Sequence, residues 1–294
     1  MTDTPHIRGY RAYLWECLQA LEQLGGSGHK REISTRAIEI GPFSEEQKAV
    51  MQPGGRMSKL EFKFDWCLTA LKAVGYVDNS GGGVWALTDQ GRALAKGDMD
   101  RVRGEINAYY KAAKHRKQAA AANADDASVD DSPEETAEST DWKPDLVARI
   151  KGMDPEAFER LCQRLLREAG FEKVEVTGRS GDGGIDGVGL ARLGLLSFPT
   201  YFQCKRYQGS VGSGPVRDFR GAMAGRGEKG VIITSGTFTP AARAEATRDG
   251  VPPIDLIDGD ALCDLLKQHR VGVKVTERIV EDISVDDAWW QQQS

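Results

Sequence analysis

The sequence predicts two folded regions joined by a linker. The first is mainly α-helical with a small β-hairpin, and the second is an α/β region with a mixed sheet flanked by helices. Three observations support this division: helical periodicity and a glycine-rich turn before residue 118, an acidic stretch with few large apolar side chains after it, and alternating strands and helices from residue 143 onward. The predicted boundaries are 1–117, 118–142 and 143–294.

In the first region, apolar residues recur at helical spacing over 10–24 and 58–74, with a further helical stretch over 30–40. A hairpin is predicted around the turn 79–83, and Thr88 can cap a helix that starts near Arg92. Helices followed by a small hairpin indicate a winged helix-turn-helix.

Three basic residues lie near the start and along the exposed side of the helix that would enter a DNA groove: Arg56, Lys59 and Lys63. Groove-reading residues usually occupy these positions, so the three are candidate DNA contacts. A solvated helix face is the alternative for the residues, and a dimerisation module is the alternative for the region.

Charge and composition limit the class of protein. The chain of 294 residues has a net charge of −5, with 40% hydrophobic and 28% charged residues, as expected of a globular protein of two domains. Residues 119–142 hold eight acidic and no basic residues, whereas 201–248 hold eight basic and three acidic ones. The acid is therefore concentrated in a predicted flexible linker, and basic character remains elsewhere for a nucleic-acid partner.

Cysteine usage and hydropathy bear on the compartment. The five cysteines are widely spaced and form no C-x-x-C pair, which argues against structural zinc and a disulfide framework. We find no apolar run of membrane-spanning length and no secretory signal, so a cytoplasmic protein without a membrane partner is expected.

The second region shows strands and helices in alternation. Residues 155–169 form an amphipathic helix whose apolar stripe includes Phe158, and Glu159 lies at the edge of that stripe. The predicted elements that follow are strands at 174–177, 187–191 and 200–205, a helix at 215–225, a strand at 230–235, a helix at 239–249 and an apolar run at 254–257.

A glycine-rich turn and the strand after it carry the chemistry. The turn reads Gly-Asp-Gly-Gly-Ile-Asp-Gly at 181–187, and the strand ends Phe202-Gln203-Cys204-Lys205. Alternation puts Gln203 and Lys205 on one face and Cys204 on the other, where it is expected to pack in the core. If the preceding strand is a hairpin neighbour, Asp186 lies beside Gln203. A carboxylate, an amide and a nearby lysine suit a hard divalent cation and a hydrolytic water, although an ordinary sheet with a surface lysine fits the residues too.

The second region resembles the catalytic domain of Mrr-type restriction endonucleases, a branch of the PD-(D/E)xK nucleases in which Gln replaces the usual Glu. The resemblance runs from Phe158-Glu159 through the Gly-Asp-Gly-Gly-Ile-Asp turn and Gln203-Cys204-Lys205 to residues 230–236. The Trp-Ala-Leu-Thr-Asp-Gln-Gly segment at 85–91 likewise resembles the N-terminal domain of Mrr-type proteins.

The resemblance implies a role for each site residue. Asp186 is the metal-binding aspartate, Gln203 takes the place of the second acidic ligand, Lys205 is the catalytic lysine and Glu159 is the helical glutamate of the family. Because an amide binds Mg²⁺ less strongly than a carboxylate does, Glu159 can supply the missing charge.

The resemblance also implies an activity and its partners. It implies Mg²⁺, with Mn²⁺ as a substitute, double-stranded DNA as partner, cleavage of methylated DNA, and a homodimer or higher oligomer. Two alternatives remain: a DNA-binding or regulatory protein with an inactive nuclease fold, and a repair or junction nuclease.

Overall fold

The structure is a computed structural model that describes residues 6–53, 57–80, 83–122, 142–176, 184–227 and 229–276. Several predictions fall outside these residues: Arg56, the turn residues 181–183 and most of the linker, 123–141. Within the described residues, no helix is both long enough and apolar enough to cross a membrane.

The first region consists of helices and a small sheet, as predicted. The helices are α1 (Leu14–Gln23), α2 (Lys30–Ile40), α3 (Glu45–Ala49), α4 (Lys59–Ala73), α5 (Asp89–Arg92) and α6 (Met99–Ala122), and the strands are β1 (Ser27–His29), β2 (Val77–Asn79) and β3 (Val84–Leu87). The strands form an antiparallel sheet in the order β1-β3-β2. The helices surround one core, to which α1 contributes Leu14 and Leu21 and α4 contributes Phe64 and Leu71.

Local sequence explains where α4 and α5 begin. The Ser58 hydroxyl accepts a hydrogen bond from the Glu61 N–H, and the Glu61 carboxylate accepts one from the Ser58 N–H, so a reciprocal capping box starts α4. Thr88 caps α5 through the Gly91 N–H. The expected helix start near Arg92 was wrong, because this cap places the start at Asp89 and Arg92 ends the helix.

The second region is an α/β domain, which confirms the predicted fold class. Its elements are α7 (Trp142–Gly152), α8 (Pro155–Glu168), β4 (Glu172–Val176), β5 (Gly187–Leu193), β6 (Leu196–Lys205), β7 (Ser210–Val211), α9 (Ser213–Met223), β8 (Lys229–Thr234), β9 (Thr237–Phe238), α10 (Pro240–Ala246), β10 (Ile254–Ile257) and α11 (Gly259–Gln268).

The central sheet is mixed and has the strand order β10-β8-β6-β5-β4. Strands β10, β8 and β6 run parallel, while β6–β5 and β5–β4 are antiparallel pairs. One face packs against α7, α8 and α11, and the other against α9 and α10. Phe202 and Cys204 belong to the first of these cores, which confirms that Cys204 is a packing residue.

Helix α8 also contacts the first region. Arg167, only 1% exposed, donates hydrogen bonds to Ser27 Oγ (2.9 Å) and to the carbonyls of Leu24 and Val174 (2.8 Å each). Arg164 forms an ion pair of 3.0 Å with Asp78 in β2. The helix that packs on the central sheet is therefore also the surface to which the N-terminal region is attached.

Candidate active site

Asp186 and Gln203 meet at the end of the β5–β6 hairpin. The register pairs Gly187 with Phe202, and the Asp186 N–H donates to the Phe202 carbonyl at 3.0 Å. The next pair in this antiparallel register is therefore Asp186 and Gln203, which lie side by side. This is the neighbour relation that the sequence predicted.

The Gln203 side chain is buried, with 5% of its surface exposed, and only half of its amide is satisfied. Its Nε2 donates to the Gly184 carbonyl, which fixes the orientation of the amide. Its Oε1 is buried and accepts no hydrogen bond from the described residues. A buried acceptor without a donor costs free energy, so Oε1 is suited to a ligand of positive charge.

Gly184 is required for this arrangement. Its φ of 93° lies in the left-handed region, and a side chain at this position would collide with the Gln203 amide. The last part of the glycine-rich turn thus brings backbone directly against the candidate ligand.

Asp186 is a half-buried carboxylate held by backbone. Its Oδ2 accepts a hydrogen bond of 2.6 Å from the Cys204 N–H. Burial raises the pKa of Asp186, and the Cys204 N–H and the charge of Lys205 oppose that shift only in part. The carboxylate is fixed in position and would be stabilised by a cation.

Glu159 lies close to this carboxylate. Burial raises the pKa of Glu159, the charge of Asp186 raises it further, and Glu156 adds a smaller effect that Arg160 opposes. The charge of Asp186 therefore disfavours ionisation of Glu159, and a bound cation would offset that effect. The edge position of Glu159 on α8 is therefore explained by its proximity to Asp186.

Lys205 completes the group at the end of β6. It is half-buried, and its charge acts on the Asp186 carboxylate. Its own carbonyl accepts a hydrogen bond from Thr234 Oγ1 at 2.7 Å, which fixes the backbone at this point. The structure thus gathers Glu159, Asp186, Gln203 and Lys205 in one place; their chemical roles remain predictions.

One residue of this neighbourhood escaped the sequence reasoning. Gln163 is 3% exposed, and its Oε1 has no hydrogen-bond donor among the described residues. It lies one turn after Glu159 on α8, and both line a cleft of about 450 Å³ between the two regions, together with Trp15 and Arg92. The i, i+4 spacing of Glu159 and Gln163 on one helix face was the available signal.

The candidate DNA contacts of the first region lie elsewhere. Lys59 and Lys63 are half-buried residues of α4, on the side of the helix that faces away from the core. Arg56 lies outside the described residues. The Asp186 group lies in the second region, so the site and the candidate DNA contacts belong to different regions.

Comparison with known proteins identifies both regions. Residues 150–266 match the family model Mrr_cat, described as "Restriction endonuclease", and residues 10–96 match Mrr_N, the "Mrr N-terminal domain". The chain belongs to the Mrr-type restriction endonuclease family. This Mrr-type chain contains both family domains in the order that the sequence predicted.

A curated relative agrees with this result. The Mrr-type chain is 36% identical over 135 residues to the "Type IV methyl-directed restriction enzyme EcoKMrr" of Escherichia coli (strain K12). The match covers 44% of this chain and 43% of that protein, so the chain spans less than half the length of its relative.

Solved restriction enzymes overlap with the Mrr-type chain more loosely. MspJI in complex with a 27-mer oligonucleotide is 29% identical, with a TM-score of 0.37. The match covers 48% of this chain and 35% of the MspJI chain. The "DNA modification-dependent restriction endonuclease AspBHI" is 20% identical, with a TM-score of 0.40. The match covers 66% of this chain and 56% of the AspBHI chain. These overlaps add no argument to the family match.

The site of the Mrr-type chain fits a hard divalent cation. The described residues contain no cluster of three or more His, Cys, Asp and Glu side chains with metal-binding geometry. The donors here are instead the half-buried carboxylate of Asp186 and the orphaned amide oxygen of Gln203, with the Glu159 carboxylate nearby. Oxygen donors of this kind suit Mg²⁺ and Mn²⁺ rather than zinc.

Proposed function

We propose that the protein is a metal-dependent endonuclease of a restriction system that cleaves methylated double-stranded DNA by phosphodiester hydrolysis. One observation carries the proposal: Asp186 lies opposite Gln203 in the β5–β6 register, the Gln203 Oε1 has no donor among the described residues, and the charges of Asp186 and Lys205 act on Glu159 and Asp186 respectively. The name of the E. coli relative, a methyl-directed type IV enzyme, supports the choice of substrate.

Asp186 and Gln203 would hold Mg²⁺, or Mn²⁺ in its place, through a carboxylate oxygen and Oε1. Glu159 would add negative charge from α8 and offset the weaker binding of an amide. The bound ion supplies Lewis-acid chemistry, which lowers the pKa of water and offsets charge on the phosphate.

Lys205 has the role of a cationic positioning group at the reacting phosphate. Its ammonium offsets negative charge on the phosphate oxygens and donates a hydrogen bond to the attacking water. The charge of Lys205 already acts on Asp186, so one lysine balances both the carboxylate and the incoming phosphate.

The N-terminal region would act as a winged helix that positions DNA. Helix α4 follows three helices (α1, α2 and α3) and the short strand β1, and it precedes the β2–β3 hairpin, the order expected of a recognition helix and its wing. Lys59 and Lys63 on this helix would contact phosphates, which fix the register of the duplex without reading its sequence.

Cleavage of both strands would require two active sites, so a homodimer or higher oligomer is part of the proposal. A cytoplasmic location also fits, because the five cysteines are free and buried and remain reduced there.

Cleavage of supercoiled plasmid tests the proposal. Plasmids with methylated adenine, methylated cytosine or no methylation are incubated with the protein in Mg²⁺, Mn²⁺ or EDTA. We expect metal-dependent cutting of methylated plasmid, lost in Asp186→Ala and in Lys205→Ala. Asp255→Ala and Lys229→Ala are matched controls, because both residues are exposed on other strands of the same sheet.

Three results would contradict the proposal. Full cutting by Asp186→Ala would mean that the site lies elsewhere. DNA binding without cutting in any metal would favour an inactive nuclease fold. Preferential cutting of branched over methylated DNA would favour a junction nuclease.

A further inference from the structure

Helix α4 has an exposed aromatic pair on the side opposite its core stripe. Phe62 is 37% exposed and Trp66 is 44% exposed, and their ring centroids lie 6.3 Å apart at an interplanar angle of 75°. The core stripe of the same helix is a separate set that folding requires: Leu60, Phe64, Cys67, Leu68 and Leu71. Folding does not explain the second, solvent-facing set.

The pair is held in place by its neighbours. The Tyr10 ring lies 6.2 Å from that of Trp66, and the guanidinium of Arg11 lies 4.9 Å from the Tyr10 centroid. A surface aromatic that is already fixed loses little side-chain entropy when it binds a partner. Binding through this pair therefore costs less side-chain entropy than binding through a freely rotating surface aromatic would.

Positive charge borders the pair. Lys59 and Lys63 lie on the same side of α4, one turn apart, next to Phe62. The acidic residues of the helix are engaged elsewhere, since Glu61 accepts the Ser58 N–H at 2.6 Å and Asp65 pairs with Lys30 at 2.7 Å. The two lysines are thus not neutralised by these acids, and the surface combines an aromatic centre with a cationic rim.

The DNA major groove presents the complementary combination. It is about 12 Å wide, admits an α-helix, and has phosphates along its edges and methyl groups on its floor. Phe is a residue that contacts the thymine C5-methyl group there. A methyl group on cytosine C5 lies in the same position, and one on adenine N6 also projects into the major groove.

We propose that Phe62 and Trp66 distinguish methylated from unmethylated DNA by burying the major-groove methyl group, while Lys59 and Lys63 contact the flanking phosphates. This inference rests on the proposed function and names the residues that select its substrate. A second copy of the chain is the less suitable occupant, because a two-fold contact through this face would bring the lysines of both copies together.

The test measures binding without cleavage. Full-length protein in EDTA is titrated by fluorescence anisotropy against duplexes of one sequence that are unmethylated, or carry 5-methylcytosine or N6-methyladenine. We expect Phe62→Ala and Trp66→Ala each to lower affinity for the methylated duplex that binds best by about tenfold. Affinity for the unmethylated duplex should stay within about twofold, so the preference collapses.

Controls separate the aromatic pair from general effects. Tyr109→Ala removes a surface aromatic of similar exposure (40%) from α6 and should leave the preference unchanged. Lys63→Ala should weaken all three duplexes equally and lower the slope of affinity against salt, whereas the aromatic variants keep the wild-type slope. Trp66→Phe should retain most of the preference, and thermal unfolding should show that every variant is folded.

Two outcomes overturn the inference while the proposed function stands. One is a wild-type preference in both alanine variants. The other is an equal loss on all duplexes, which would make the face a contact to the DNA backbone. If the first outcome comes with loss of a dimer in sedimentation, the face is a self-association contact. Absence of any methyl preference in a wild-type protein that cuts plasmid would overturn the proposed substrate and this inference together.

Discussion

Gln203→Glu tests the site because it has opposite effects with and without metal. An ionised carboxylate cannot donate a hydrogen bond, so the substitution removes the bond from Nε2 to the Gly184 carbonyl. It also adds a third acid beside Asp186 and Glu159, whose pKa values burial already raises. We therefore expect a loss of stability in EDTA and a larger gain on addition of Mg²⁺.

The magnitude follows from the lost hydrogen bond. A buried carbonyl left without a donor costs about 1–3 kcal/mol. For a domain of this size, about 2 kcal/mol lowers the unfolding midpoint by roughly 4–8 °C. Mg²⁺ at about 100 times its dissociation constant restores about 2.7 kcal/mol by mass action, which offsets the loss. The loss in EDTA should be smaller in acid, because a protonated carboxyl group can donate to the Gly184 carbonyl again.

Thermal unfolding across a Mg²⁺ titration measures both effects, with cleavage followed in parallel. Gln203→Met is the matched control, since it has a similar length and loses the same hydrogen bond but adds no charge. Gln203→Met should unfold earlier and gain little from Mg²⁺. If wild type, Gln203→Glu and Gln203→Met respond to Mg²⁺ identically, Gln203 is not a ligand and the reasoning fails.

The remaining predictions concern neighbouring residues. Asp186→Asn should abolish Mg²⁺-dependent stabilisation and raise the unfolding midpoint in EDTA at neutral pH, because it removes a half-buried charge whose pKa burial raises; an unchanged Mg²⁺ response would contradict this. Glu159→Ala should raise the Mg²⁺ concentration that cleavage requires, which a cleavage titration measures. The pKa values of Asp186 and Glu159 are raised in the folded protein. Without metal, the two groups therefore contribute their full stability below the ordinary carboxyl pKa of about 4, and this contribution is lost as pH rises through the raised pKa values. Mg²⁺ should stabilise the protein most at pH values above the raised pKa values. Arg167→Met should cost about 3 kcal/mol by leaving buried carbonyls unpaired, as chemical denaturation would show.

The neighbour relation of Asp186 and Gln203 was predictable because it is local. A hairpin fixes its register over a few residues, and the alternation of Gln203 and Cys204 decides which side chain enters the core. The strand ends were less predictable. Both β5 and β6 are longer than predicted and extend towards the turn around Leu195, whose side chain is fully exposed. Because Leu195 is apolar but exposed, the alternation of polar and apolar residues does not show where the strands end.

The proximity of Glu159 to Asp186 could not be predicted from spacing. Periodicity placed Glu159 at the edge of an apolar stripe, where a solvated glutamate is equally consistent with the pattern. Which edge faces the sheet end depends on how α8 packs across β6, and that packing involves Cys162 and Phe202, which lie far apart in sequence. Gln163 was missed for the same reason, since part of the cleft that it lines comes from the N-terminal region.

Arg167 explains why that region and the site share one helix. Burial lowers the pKa of Arg167 to about 10, so it remains charged at neutral pH although none of its hydrogen bonds goes to a carboxylate. Two carbonyls and the Ser27 hydroxyl accept hydrogen bonds from the two terminal nitrogens of the guanidinium only when the end of α1, β1, β4 and α8 are together. Separation of the two regions would expose or orphan these groups, so the contact favours one fixed arrangement. Because Glu159 lies two turns earlier on the same helix, the position of the N-terminal region and the geometry of the carboxylate pair depend on each other.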